Sequence, residues 1–131
     1  MTIELQALAW TILLGLVQLM LASAVLRRQQ GLDWAAGPRD VPPPPPTPLG
    51  GRLQRAHANL METFPLFVAA VLLVVVQERQ GALSQWGCLL YFWARVLYVP
   101  LYASGIPRLR SLVWAVSMIG LLLLLAAGLG A

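Results

Sequence analysis

"RLQRAHANLMETFPLFVAAVLLVVV", residues 52–76, opens with the polarity of a solvated surface and closes with that of hydrocarbon. Arg52, Arg55, His57, Asn59 and Glu62 fall in its first eleven positions, and from Phe64 onward every side chain is apolar. A helix rises 1.5 Å per residue, so a stretch of this length crosses the roughly 30 Å of a bilayer's hydrocarbon core. On that helix Arg55, Asn59 and Glu62 follow Arg52 at offsets of three, seven and ten, placing all four in one stripe. Glu62 then lies about 10 Å deeper than Arg55. A carboxylate at that depth is costly unless it faces protein and finds a partner.

The rest of the chain fits the same setting. Of 131 residues, 59% are hydrophobic and 11% charged. Soluble domains carry about a quarter charged residues, so this is the composition of a membrane protein, and the length allows one domain. The net charge of +4 comes from arginine alone. The arginines cluster at the ends of apolar runs, a placement that suits topology and intramembrane sites rather than a nucleic-acid face. One cysteine, Cys88, and one histidine preclude a disulfide framework or a metal cluster within a chain. Cys88, in an apolar run, reads as a small buried residue.

Four apolar segments can be marked, at about 4–26, 53–77, 84–104 and 108–129. The first carries Glu4 where a signal peptide would be basic, and its arginines follow it, so it reads as a retained helix. Backbone in lipid must satisfy its own hydrogen bonds, which makes every span helical. Short connections at 78–83 and 105–107 force antiparallel neighbours, predicting an all-α integral membrane four-helix bundle with up-down-up-down topology. The first connection, 27–51, contains seven prolines, with Pro42 to Pro46 consecutive. Such a run favours an extended polyproline rod, a stiff spacer outside the bilayer or, alternatively, a ligand for a proline-reading partner. Arginines 27, 28, 39 and 52, with Arg108 and Arg110, assign the first and third connections to the cytoplasm and both termini to the outside.

In the third segment Tyr91, Arg95, Tyr98 and Tyr102 also share one face, at offsets of four, seven and eleven. Arg95 lies near mid-span and needs a counter-charge. Glu62 is read as the only acid deep in a span, which predicts a Glu62–Arg95 pair, within a chain or across a subunit boundary. Tyr98 and Tyr102 then line a groove toward the cytoplasmic end, where Arg55, Arg110 and Ser111 arrive. Guanidinium groups, phenols, an amide and a hydroxyl suit a small ligand gripped through its carboxylates, and a lipophilic molecule could reach it from the side. Such groups also serve as structural fasteners between helices. His57, off the stripe, reads as a surface or interface group.

"RAHANLMETFPLF", with an arginine three positions before it, resembles the second-helix signature of the MAPEG family, membrane-associated proteins of eicosanoid and glutathione metabolism. The family includes microsomal glutathione transferases, leukotriene-C synthase, microsomal prostaglandin-E synthase and the lipoxygenase-activating protein. The four-span layout and the arginine–tyrosine third helix extend the resemblance over nearly the whole chain. It implies a bacterial-type, inner-membrane member forming a homotrimer, with glutathione bound as co-substrate between neighbouring subunits near the cytoplasmic face. Arg55, Asn59, Glu62, Arg95, Tyr98, Tyr102 and Ser111 match glutathione-site positions, as does Arg27 or Arg28 at the end of the first helix. Arg110 matches the arginine that holds the glutathione sulfur as thiolate. Ala58 stands where several catalytic relatives carry a further basic residue, and Trp114 where some carry a tyrosine. The implied activity is a glutathione-dependent transferase or peroxidase acting on lipophilic electrophiles, with no metal and no nucleic-acid partner. The alternative is a non-catalytic lipid-binding or scaffold protein of the same fold. A transporter is disfavoured, because the chain shows neither repeat symmetry nor a broken helix pair.

Overall fold

Helices in this chain start where a side chain or a proline can start them. Thr2 and Thr47 act as N-caps, their hydroxyls accepting from the backbone N–H of Leu5 and Gly50, both at 3.4 Å. Pro48 and Pro107 occupy first turns, where a missing N–H costs nothing. In the computed structural model, which describes residues 1–130, these signals bound α1 (Ile3–Gln30), α2 (Leu32–Ala36), α3 (Pro48–Val76), α4 (Ala82–Ala103) and α5 (Pro107–Gly128). The described residues contain no strand. α1, α3 and α5 are each long and apolar enough to cross a membrane. α4 is less apolar, interrupted by Gln85, Arg95 and all three tyrosines of the chain.

α3 packs against α1, α4 and α5, and its inner stripe of Leu60, Phe67, Val71 and Val74 is fully buried. Phe67 stacks on Tyr91 of α4 with ring centroids 4.2 Å apart, and the Tyr91 hydroxyl is 2.8 Å from Thr63 Oγ1. Tyr91 is thus a strut between α3 and α4, away from the cytoplasmic groove the sequence assigns to the later tyrosines. α4 and α5 approach closest of all. A Cβ on Gly87 would sit 2.7 Å from the Gly120 carbonyl oxygen, and one on Gly120 would sit 2.7 Å from both Gly87 O and Tyr91 N. Two glycines therefore let the backbones touch, as small residues do where helices meet in lipid. Outside this core the surface is apolar: Trp10, Leu16, Met20, Leu66, Trp86, Trp93 and Leu122 are all exposed.

Two expectations change. The deeply buried acid is Glu4, not Glu62. Glu4 is 0% exposed, Ser84 of α4 donates its hydroxyl to Glu4 Oε1, and Oε2 has no partner. Lying in the first turns of α1 and α4, the pair ties these two helix starts together, and the free N–H groups there favour the carboxyl oxygens. The long first connection is also not a plain spacer. α1 continues to Gln30, α2 follows, and the side chain of Gln29 clasps Thr47: Thr47 N donates to Gln29 Oε1 at 2.9 Å while Gln29 Nε2 donates to Thr47 Oγ1. The proline strap leaves and re-enters at one place. Within it Trp34 Nε1 donates to the Val41 carbonyl, and Arg39 lies 5.4 Å from the Trp34 ring centroid.

Gly120→Val should lower stability by about 2 kcal/mol or more, because neither backbone can retreat without opening the α4–α5 seam. Thermal unfolding in detergent measures this; an unchanged midpoint contradicts the contact. Ser84→Ala, which leaves both Glu4 oxygens unpartnered, should cost about 1–3 kcal/mol. Glu4→Leu combined with Ser84→Ala should recover most of that loss, since removing both polar partners removes the desolvation penalty.

Candidate functional site

Between the N-terminal half of α3, the C-terminal end of α4 and the N-terminal end of α5 lies a cleft of about 420 Å³. Arg55, Ala58, Asn59 and Glu62 of α3, Tyr98 and Tyr102 of α4, and Arg110, Ser111 and Trp114 of α5 line it. Helical spacing accounts for the gathering: offsets of three and four from Arg55 to Glu62, four from Tyr98 to Tyr102, and four from Arg110 to Trp114 keep each set on one face. Tyr102 is the hub. Arg55 Nε donates to its hydroxyl at 3.1 Å, and the Arg110 guanidinium lies 4.6 Å from its ring centroid. One aromatic ring thereby holds two like charges apart and faces both with its electron-rich π cloud. Tyr98 meets Tyr102 edge-on with centroids 5.5 Å apart.

Arg95 lies beneath this cleft rather than in its wall. It is 1% exposed; Nη1 donates to Asn59 Oδ1 at 2.9 Å, and the guanidinium sits 4.3 Å from the Tyr98 ring centroid. Its Nε and Nη2 have no partner, so the expected Glu62–Arg95 pair is not made within the chain. A neutral amide oxygen and a π face accept the cation without also desolvating a carboxylate, the larger penalty of a buried ion pair. Glu62, one turn on, is exposed in a single chain and free to meet a ligand.

Of the other expected site residues, Arg55, Asn59, Glu62, Tyr98, Tyr102, Arg110 and Ser111 come together in one place. Arg27 and Arg28 do not: both are exposed at the end of α1, where Arg27 lines a separate depression with Trp34 and Arg39. His57 keeps off the cleft, half-buried, with Nδ1 enclosed and without a partner. Ala58 and Trp114, singled out through resemblance alone, are wall residues. Arg52, the outermost member of the stripe, turns instead toward the α4–α5 connection, where its Nη1 donates to the Ala103 carbonyl at 3.3 Å.

Beside the cleft the α3–α5 seam changes character. A groove of about 570 Å³ is lined by Leu66, Ala69, Ala70 and Leu73 of α3 and by Met118, Leu121, Leu122 and Leu125 of α5. Leu66 is one turn beyond Glu62, and Met118 one turn beyond Trp114, so polar cleft and apolar groove follow one another along the same pair of helices. Such an arrangement can hold a zwitterion through arginines and a carboxylate while an apolar molecule lies alongside.

The chain matches the model of the MAPEG family over residues 7–130, nearly its whole length, and belongs to that family. No curated protein and no solved structure matches it. Family membership together with three helices able to cross a membrane makes this an integral membrane protein.

Glu62→Gln should cost less than about 1 kcal/mol, since Glu62 is exposed and makes no direct contact with the buried guanidinium. Asn59→Ala should cost about 2–4 kcal/mol, because it strips the one hydrogen-bond acceptor from a buried guanidinium. Parallel melts of the two variants test the assignment of Arg95's partner; a larger loss in Glu62→Gln than in Asn59→Ala contradicts it.

Proposed function

We propose that this MAPEG-family protein is a glutathione-dependent transferase or peroxidase acting on lipophilic electrophiles. The observation that carries the proposal is the cleft itself: a cation on each of two walls, Arg55 and Arg110, one free carboxylate, and an apolar groove continuing along the same seam. Glutathione offers two carboxylates, one ammonium and one thiol. Arg55 and Arg110 suit the carboxylate and thiolate charges, Glu62 the ammonium, and Asn59, Tyr98, Tyr102 and Ser111 the peptide groups.

A thiol of pKa about 8.5 is mostly protonated at neutral pH, and a guanidinium within reach favours its anion. Arg110 takes that role. In conjugation the thiolate forms a C–S bond with an electrophilic carbon, and the leaving group departs with its electron pair. In peroxide reduction the thiolate attacks the terminal oxygen, the O–O bond breaks, and the alkoxide takes a proton. A second glutathione then converts the sulfenic acid to disulfide and water. The protein supplies proximity and charge stabilisation, without a covalent intermediate.

The assembly we propose is a homotrimer of up-down-up-down four-helix subunits in a bacterial inner membrane, termini outside, with the cleft at the cytoplasmic face. Glu62, Arg55 and Ser111 are exposed on a single chain, and a neighbouring copy closing over them would bring its own Arg27 or Arg28 to the site. A second reading, a lipid-binding or scaffold protein without catalysis, is favoured by one observation: the apolar groove is roomier than the polar cleft.

Glutathione binding and thiolate absorbance of the purified protein separate the two. The enzyme reading expects binding at millimolar concentration or tighter. It also expects a loss of thiolate signal in Arg110→Ala, with turnover of a model electrophile down about 10²-fold. Absence of binding at millimolar glutathione defeats it and leaves the lipid-binding reading.

A further inference from the structure

A second recess of about 240 Å³ adjoins the polar cleft at the α4–α5 connection, lined by Arg52, Arg55, Tyr102, Arg110 and the connection's Gly105, Ile106 and Pro107. Three guanidinium groups face it and no carboxylate does. The chain's five acids lie elsewhere: Glu62 in the neighbouring cleft, Asp33 and Asp40 in the strap, Glu4 at the start of α1 and Glu78 beyond the end of α3, both at the opposite ends of the helices. Arg52 is held in place. Its Nη1 donates to the Ala103 carbonyl, and its guanidinium lies against Gly105 so closely that a Cβ there would sit 2.9 Å from Cζ. Gly105 also has φ +73°, a left-handed conformation that glycine adopts without strain. The first turn of α5 borders the recess through Ile106, Pro107 and Arg110, which bring the Arg110 side chain to it but no free backbone N–H.

We infer that this recess is a binding site for a phosphate group, carried either by the headgroup of an anionic phospholipid or by a soluble phosphomonoester. Three guanidiniums arriving from two helices match a tetrahedral anion that presents oxygens in several directions. A planar carboxylate offers one edge of two oxygens and engages one fork. The recess lacks Asn59, Glu62 and Ser111, the groups that complement the uncharged and ammonium parts of a peptide. Arg55 and Arg110 belong to both walls, so an occupant of the recess draws on the same charge as an occupant of the cleft. The inference stands apart from the glutathione proposal, and its test contains no thiol.

Protein purified in maltoside micelles, which carry no phosphate, is melted with inorganic phosphate, with chloride at equal ionic strength, with phosphatidylglycerol, and with phosphatidylcholine. Native protein should be stabilised by phosphate or phosphatidylglycerol well beyond chloride or phosphatidylcholine. A response to inorganic phosphate assigns the soluble source, and a response to phosphatidylglycerol alone assigns the lipid. Arg52→Gln should weaken the response about tenfold in ligand concentration, the loss of one charge-assisted contact, and Arg52→Lys should weaken it less. Equal stabilisation of native protein by chloride, no response to either phosphate source, or an undiminished response in Arg52→Gln overturns the inference. The first two readouts need no variant, so a poorly folded Arg52→Gln does not shield it.

Discussion

One cation governs the middle of this molecule. Arg95 sits almost wholly out of solvent in α4, and the helices around it are arranged to make that tolerable. Asn59 of α3 supplies an oxygen, Tyr98 supplies a ring face, and both are themselves held against the polar cleft. Because Asn59 and Tyr98 each face the arginine and the cleft, the floor of the cleft is fixed by the demand of a buried charge. Above it Arg55 and Arg110 gather on Tyr102, which meets Tyr98 of the floor edge-on. Structural fastener and candidate site are two sides of one layer.

Much of this layer was legible from spacing. Arg55, Asn59 and Glu62 recur at the helical period, as do Arg95, Tyr98 and Tyr102, and periodicity fixes which side chains share a face. It does not fix which of two neighbours on that face completes a pair. Charge matching pointed to Glu62 for Arg95, whereas within one chain the solution uses an amide and a π cloud, which avoids taking a second ion out of water. The same bias hid Glu4. At the fourth position of the chain it looks like a flank residue that reports topology, and only tertiary packing shows it enclosed with Ser84, eighty positions away. Gln29 and Thr47 carry no signal either: a glutamine at a helix end and a capping threonine meet through contacts that no local pattern encodes. Gly87 and Gly120 read as unremarkable small residues until their helices are seen to touch.

The α3–α5 seam joins two solvents. One end offers hydrogen bonds and charge, the other offers only van der Waals contact, and the change occurs within a single helical turn between Glu62 and Leu66. Reactions between a water-soluble thiol and a membrane-soluble carbon face a partition problem before any chemical one, since each reactant is scarce where the other is abundant. Under the proposed function, a boundary built into side chains rather than left to the bilayer surface would hold both at contact distance.

The clasp between Gln29 and Thr47 has a consequence for how such a chain can vary. Since the strap's two feet stand together, its length is uncoupled from the register of α1 against α3. Adding residues there incurs only the slow logarithmic growth of loop-closure entropy, about 0.6 kcal/mol per doubling. The five prolines are therefore ornament in the topological sense, a detachable handle on a fixed frame. That handle is where a lineage could gain or lose a docking segment, or an experimenter insert a reporter, without disturbing the helices that line the cleft.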